Sequence, residues 1–280
     1  MIFLLPLVFL VMDEVAAHGG YHETVAKLEK EIQINPDDSD LYYKLALAHA
    51  DHDEADLLMK ATLDLEARAP GRYPTAYLRG LSLSLSGDFE RAGKTLQEFL
   101  NTSPRHAEAT LAMARVQMKL GDPRAAAESY RRSAELSEFD TPGLYGEWAE
   151  ALRACKQSPE ASKVIDRGIA HLGPRQSLLM TGYRIDSAAG NWDKALERIS
   201  ALEVLAPTPA PWMARRAETL SAAGRSIAAE AEWQRLLVHL DSLPNLERGS
   251  AQNISLRDQA LKALGQSRPT RVVAPPTPHE

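Results

Sequence analysis

The chain has 280 residues, 44% hydrophobic but only 6% aromatic, with one cysteine and a formal charge of −6. Its apolar content is mostly Ala and Leu, which favours an all-helical chain. The acidic balance argues against nucleic acid as a partner, which wants a basic stripe, and the lone Cys155 excludes an internal disulfide or a multi-cysteine zinc site.

Ile2 to Met12 is an uninterrupted apolar run of eleven residues. As a helix it reaches about 17 Å, short of the roughly 30 Å hydrocarbon core of a bilayer, so no transmembrane span is expected. The run reads instead as the apolar core of a signal peptide over residues 1–17, with Val15 and Ala17 as the small residues before the cut. No Lys or Arg precedes it, and Asp13 and Glu14 sit close to the cut. An exported chain, periplasmic or secreted, is the expectation. Cleavage after Ala17 would leave a terminus beginning His18-Gly-Gly-Tyr-His22, whose α-amine and two imidazoles suit Cu(II) or Ni(II).

Beyond the leader, three residue types keep one beat. Pro36, Pro70 and Pro104 are 34 apart, Gly87 and Gly121 are 34 apart, and so are Gly190 and Gly224. Ala92, Ala126, Ala161, Ala195 and Ala229 follow at intervals of 34, 35, 34 and 34. A repeat of this length points to stacked supersecondary units. The glycines stand between two helical patterns, where a left-handed residue ends one helix and the following Asp88, Asp122 or Asn191 is placed to cap the next. The alanines fall where two helices cross closely. The prolines stop second helices. Phe89, Ala92, Leu96, Phe99 and Leu100 form a helical stripe, and no sustained alternation marks a strand.

Taken in chain order, His22 to Pro36 is the second helix of a degenerate leading hairpin. Full units cover 39–70, 73–104, 107–140, 142–174, 176–207 and 210–243. Two lack the turn glycine: His52-Asp53-Glu54 stands in the first and Lys156-Gln157-Ser158-Pro159 in the fourth. The array occupies 18–244, a capping helix with Ile254, Leu261 and Leu264 occupies 245–264, and 265–280 is a proline-rich tail expected to be disordered.

Gly80, Gly87, Ala92, Phe99 and Pro104 fall at the small, turn, small, apolar and proline positions of the tetratricopeptide repeat, and the chain resembles that superfamily from about residue 22 to 243. The resemblance implies a right-handed α-solenoid of about six helical hairpins whose first helices line a concave groove for peptides. It maps that groove onto Tyr43, Lys44, Tyr77, Leu78, Leu81, Arg115, Lys119, Glu150, Arg153, Arg184 and Arg215. The arginines suit an acidic partner segment.

Catalytic signatures are lacking. Gly80 to Gly87 is not a nucleophile elbow, because its serines run along a helix. His49 and His52, three apart among acidic residues, form the densest metal-capable cluster, yet they lie at a helix end and turn where polar side chains are ordinary. Cys155 reads as a small packed residue. The expectation is a non-catalytic protein-binding scaffold. The alternative is a metal-handling protein that uses His18 and His22.

Overall fold

Within each hairpin, one helix closes on the next through a turn of three residues. A computed structural model describes residues 8–137 and 141–265, with side chains from Gly20 onward in the first stretch. The chain divides into two compact units, Met1–Phe139 and Asp140–Glu280. In the first, α1 (Val8–Ile34) packs on α2 (Ser39–Asp51), and three hairpins follow: α2 with α3 (Ala55–Arg68), α4 (Thr75–Leu85) with α5 (Phe89–Thr102), and α6 (Ala107–Lys119) with α7 (Pro123–Leu136). In the second, α8 (Pro142–Ala154) pairs with α9 (Ser158–Leu172), α10 (Gln176–Ala188) with α11 (Trp192–Leu205), and α12 (Ala210–Ala222) with α13 (Ser226–Ser242). Strands are absent among the described residues.

The repeat residues do the work their positions predict. Ala92, Ala126, Ala161 and Ala195 are wholly buried, and Ala229 is 2% exposed. Gly80 lets α4 and α5 close on each other, since a Cβ there would stand 2.7 Å from Leu96. The helix preceding each repeat proline ends two residues before it, as at Arg68, Thr102, Leu172 and Leu205. Asp88 and Asp122 cap α5 and α7, accepting from Arg91 N and Ala125 N. Asn191 does not: α11 has no side-chain cap, which corrects that expectation.

Both turns without glycine hold the same backbone as those with it. Among the described residues, Asp53 (φ 57°) and Lys156 (φ 62°) are the non-glycine residues with positive φ, at the positions where Gly87, Gly121, Gly190 and Gly224 have φ between 73° and 81°. The closing bonds match too. Asp88 N donates to Leu83 O and Gly87 N to Ser84 O, while Gln157 N donates to Leu152 O and Lys156 N to Arg153 O. This is the six-to-one and five-to-two pattern of a left-handed helix stop.

The C-terminal cap is two pieces rather than one helix. The single turn α14 (Asn245–Arg248) breaks at Gly249, and Ser250 then caps α15 (Ala251–Ala263) by accepting from Asn253 N. Leu256 and Ala260 are what α15 buries, against Trp233, Leu236 and Leu240 of α13, while Ile254 stays exposed. The expected disordered tail lies outside the described residues apart from Gly265.

Candidate functional site: the first-helix faces

In the first unit α2 touches α4 and α4 touches α6, so the first helices form one layer. Tyr43 of α2 is half-buried and stacks on Tyr73, ring centroids 5.0 Å apart. Tyr77 of α4 lies 4.9 Å from the His106 ring and 6.2 Å from Phe99. His106 is held in place because its Nδ1 accepts from Ala109 N and caps α6. Burial pushes the Tyr77 hydroxyl well above its usual range, with Glu108 and Tyr43 adding to the shift and Arg115 opposing it. Burial raises Tyr43 as well, again with Glu108 behind it. Tyr43, Tyr77, Arg115 and Glu108 are therefore electrostatic neighbours, drawn from three successive first helices. Leu81 is half-buried beside them, and Lys44, Arg115 and Lys119 are exposed. Leu78 is different. It is wholly buried within the cluster of Tyr42, Ala46, Leu58 and Leu65, so it packs the hairpin and offers no surface to a partner, which corrects its assignment to the groove.

In the second unit the predicted arginines do not stand alone. Glu150 of α8 accepts from Arg153 at 2.6 Å and pairs with Arg184 of α10 at 3.3 Å. Arg215 of α12 pairs with Glu218 at 3.1 Å and lies 6.0 Å over the ring of Tyr183, whose hydroxyl meets Thr219 Oγ1 at 3.3 Å. The ladder expected from the sequence thus carries its own carboxylates. Tyr73, Phe99, His106 and Tyr183 were missed by sequence reasoning. In a chain this poor in aromatics, rings at or beside first helices were the available signal.

The histidine cluster turns out to be packing. His49 is 5% exposed, and its Nδ1 meets the Tyr21 hydroxyl at 2.9 Å, while His52 stacks on the Tyr21 ring at 4.2 Å. His49 is thus not part of a solvated turn, as its position suggested, but the seat that ties α1 to the first full hairpin. Burial pushes its pKa down, against the pull of Glu54 and Glu29. His22 is exposed with its ring 5.1 Å from Tyr21, and the His18 side chain lies outside the described residues. No trio of His, Cys, Asp or Glu is placed to hold a metal among the described residues. Cys155 sits half-buried at the end of α8. No described helix is long and apolar enough to cross a membrane.

No family model and no curated protein sequence matches the chain. Solved structures do. The C-terminal part of a TPR repeat-containing protein from Cytophaga hutchinsonii is 13% identical, with a TM-score of 0.59 over 89% of this chain and 98% of that one. A tetratricopeptide repeat protein from Parabacteroides merdae is 13% identical, with a TM-score of 0.51 over 81% of this chain and 87% of that one. YrrB, a TPR protein with an unusual peptide-binding site, is 13% identical, with a TM-score of 0.50 over 74% of this chain and 94% of that one. The fold is that of the tetratricopeptide repeat, all-α and built of consecutive helical hairpins, as the 34-residue beat implied.

Proposed function

We propose that this chain is a non-catalytic scaffold, exported to the periplasm or beyond, that binds an extended segment of another protein on the first-helix faces of its hairpins. One observation carries the reading. Tyr43 and Tyr77 are half-buried rings on adjoining first helices, with exposed Lys44 beside Tyr43 on α2 and exposed Arg115 on the next first helix, α6. Flat anchors with low conformational entropy, rimmed by cations, are what a peptide-binding face needs. The peptide-binding site of YrrB supports the same use of this fold.

An acidic segment suits the second unit as well, where Arg153, Arg184 and Arg215 would exchange Glu150 and Glu218 for the partner's carboxylates. Each exposed pair contributes at most about 1 kcal/mol, so the effect must be collective. Capture from the exported fraction of the native cells tests the proposal, using the full chain against Lys44→Glu/Arg115→Glu/Lys119→Glu, whose three sites are all exposed. The partner should be retained by the wild type and lost by a triple variant of unchanged helicity. Equal capture by both places the interface elsewhere. Mass spectrometry of the native protein should find His18 at its N-terminus, and full-length chain from the cytoplasm would overturn export.

A further inference from the structure

The second unit carries a cavity of about 470 Å3 at the turn ends of its second helices, lined by none of the first-helix residues named above. Pro159, Ser162 and Lys163 of α9 form one wall, Gly190, Asn191, Trp192, Asp193 and Lys194 the other, and Arg225 closes it from the turn before α13. Three different hairpins thus supply one cation each. Their partners differ in strength. Lys194 Nζ is engaged by Asp166 at 2.6 Å and by the buried Ser162 Oγ at 3.3 Å. Arg225 pairs at 2.7 Å with Asp193, whose side chain is 80% exposed and so easily exchanged. Lys163 is exposed and pairs with no acidic residue among the described residues. Trp192, half-buried, supplies a flat apolar wall.

The turns at this end lack an acidic residue that the first unit's turns carry. The residue after each left-handed turn position is Glu54, Asp88 and Asp122 in the first unit, but Gln157, Asn191 and Arg225 in the second. The acidic residue that caps or precedes each second helix is gone from all three hairpins whose ends meet at the cavity.

We infer that this cavity is a second docking site, independent of the first-helix faces, for an acidic peptide segment with a proline or other apolar side chain beside its carboxylates. The carboxylates would pair with Lys163 and Arg225, and the apolar side chain would lie on Trp192. Asp193 and Asp166 stand among the cations, and they would repel a dense polyanion such as a nucleic-acid backbone. Two spaced carboxylates need only Lys163 and Arg225, the second by displacing the exposed Asp193 side chain, and leave the Lys194–Asp166 pair untouched. Charge complementarity therefore selects the peptide.

The test uses the full chain and a displayed library of random dodecapeptides. Peptides enriched on the wild type are then synthesised and measured by fluorescence anisotropy against Lys163→Glu/Arg225→Glu, Trp192→Phe and the first-helix variant Arg153→Glu/Arg184→Glu. Peptides from this site should be rich in Asp and Glu with a neighbouring Pro or aromatic residue. They should lose at least tenfold in affinity with Lys163→Glu/Arg225→Glu, weaken measurably with Trp192→Phe, and bind the first-helix variant as they bind the wild type. Enrichment of non-acidic peptides, no enrichment at all, or equal affinity for Lys163→Glu/Arg225→Glu overturns the inference. So does binding of a single-stranded oligonucleotide as tight as that of the acidic peptides, which would make the cavity a general anion patch. Loss confined to the first-helix variant would overturn this site while supporting the first-helix reading.

Discussion

Lys156 pays a conformational cost that its neighbours in the repeat avoid, and Lys156→Gly should relieve it. The residue has φ 62° where the equivalent turns have glycine. A left-handed backbone costs an L-residue with a side chain about 1–2 kcal/mol. Glycine returns about 0.4–1 kcal/mol of that through its looser unfolded chain. The Lys156 side chain is exposed, and the turn's closing bonds run through backbone atoms, so nothing else is lost. The net gain should be about 0.5–1 kcal/mol. The reciprocal change is Gly190→Ala, where an added Cβ meets nothing within 4 Å, so only the backbone strain is felt. It should cost about 1 kcal/mol. The assay is simple because Trp148, Trp192, Trp212 and Trp233 all lie in the second unit, and their fluorescence follows its unfolding alone. In urea the midpoint should rise by roughly 0.3–0.8 M for Lys156→Gly, with an unchanged slope, and fall comparably for Gly190→Ala. A midpoint that stays put or falls in Lys156→Gly would refute the left-handed turn and the strain argument with it.

Other substitutions probe the packing and the buried charge. Ala92→Trp should destabilise the first unit by about 3 kcal/mol or more, read by thermal melting, because Ala92 is wholly buried at a helix crossing; a silent substitution would mean the repeat register is wrong. Asp186 is wholly buried, and its Oδ2 accepts from Arg198 Nε at 3.3 Å; Arg198 also pairs with Asp166 at 2.5 Å, so Asp186→Ala leaves a nearly buried guanidinium with one of its two carboxylate partners and should cost about 2 kcal/mol. The double variant Asp186→Leu/Arg198→Met should recover much of that loss in the tryptophan-detected urea midpoint, and no recovery would refute the desolvation argument. His49 has a pKa lowered in the fold, so above its unfolded value of about 6.5 both states are neutral and its contribution is complete. Below that value the unfolded chain takes up a proton more readily than the folded one, and stability falls as pH falls. The far-UV melting temperature of the chain should therefore decline between pH 7 and pH 5 more steeply in wild type than in His49→Gln; parallel slopes would show that His49 stays easily protonated.

Much of the architecture was legible because a tetratricopeptide hairpin is a local object. Its two helices, the turn between them and the small residue at their crossing are all set within 34 residues, and each needs a particular residue type. Gly87, Ala92 and Pro104 could therefore be read in sequence and found again in the fold. The binding faces were only half legible. The resemblance could say which positions face along the first helices, but not how deeply a side chain sinks. Leu78 lies wholly in the core and Tyr77 beside it is only half-buried, a difference of one position that packing decides.

Tertiary structure alone decided what depends on residues about 30 apart meeting in space. Asp53 and Lys156 are forced left-handed because paired helices demand that turn whether or not glycine is there to make it. His49 is buried because Tyr21 of α1 covers it across 28 residues of chain. Glu150 takes Arg184 from the next first helix, and Arg225 joins the Trp192 cavity from the hairpin after. A periodic sequence specifies where each hairpin bends; which charges end up neighbours follows from the stacking of one hairpin on the next, because ion pairs and burial depend on distances that no single repeat contains.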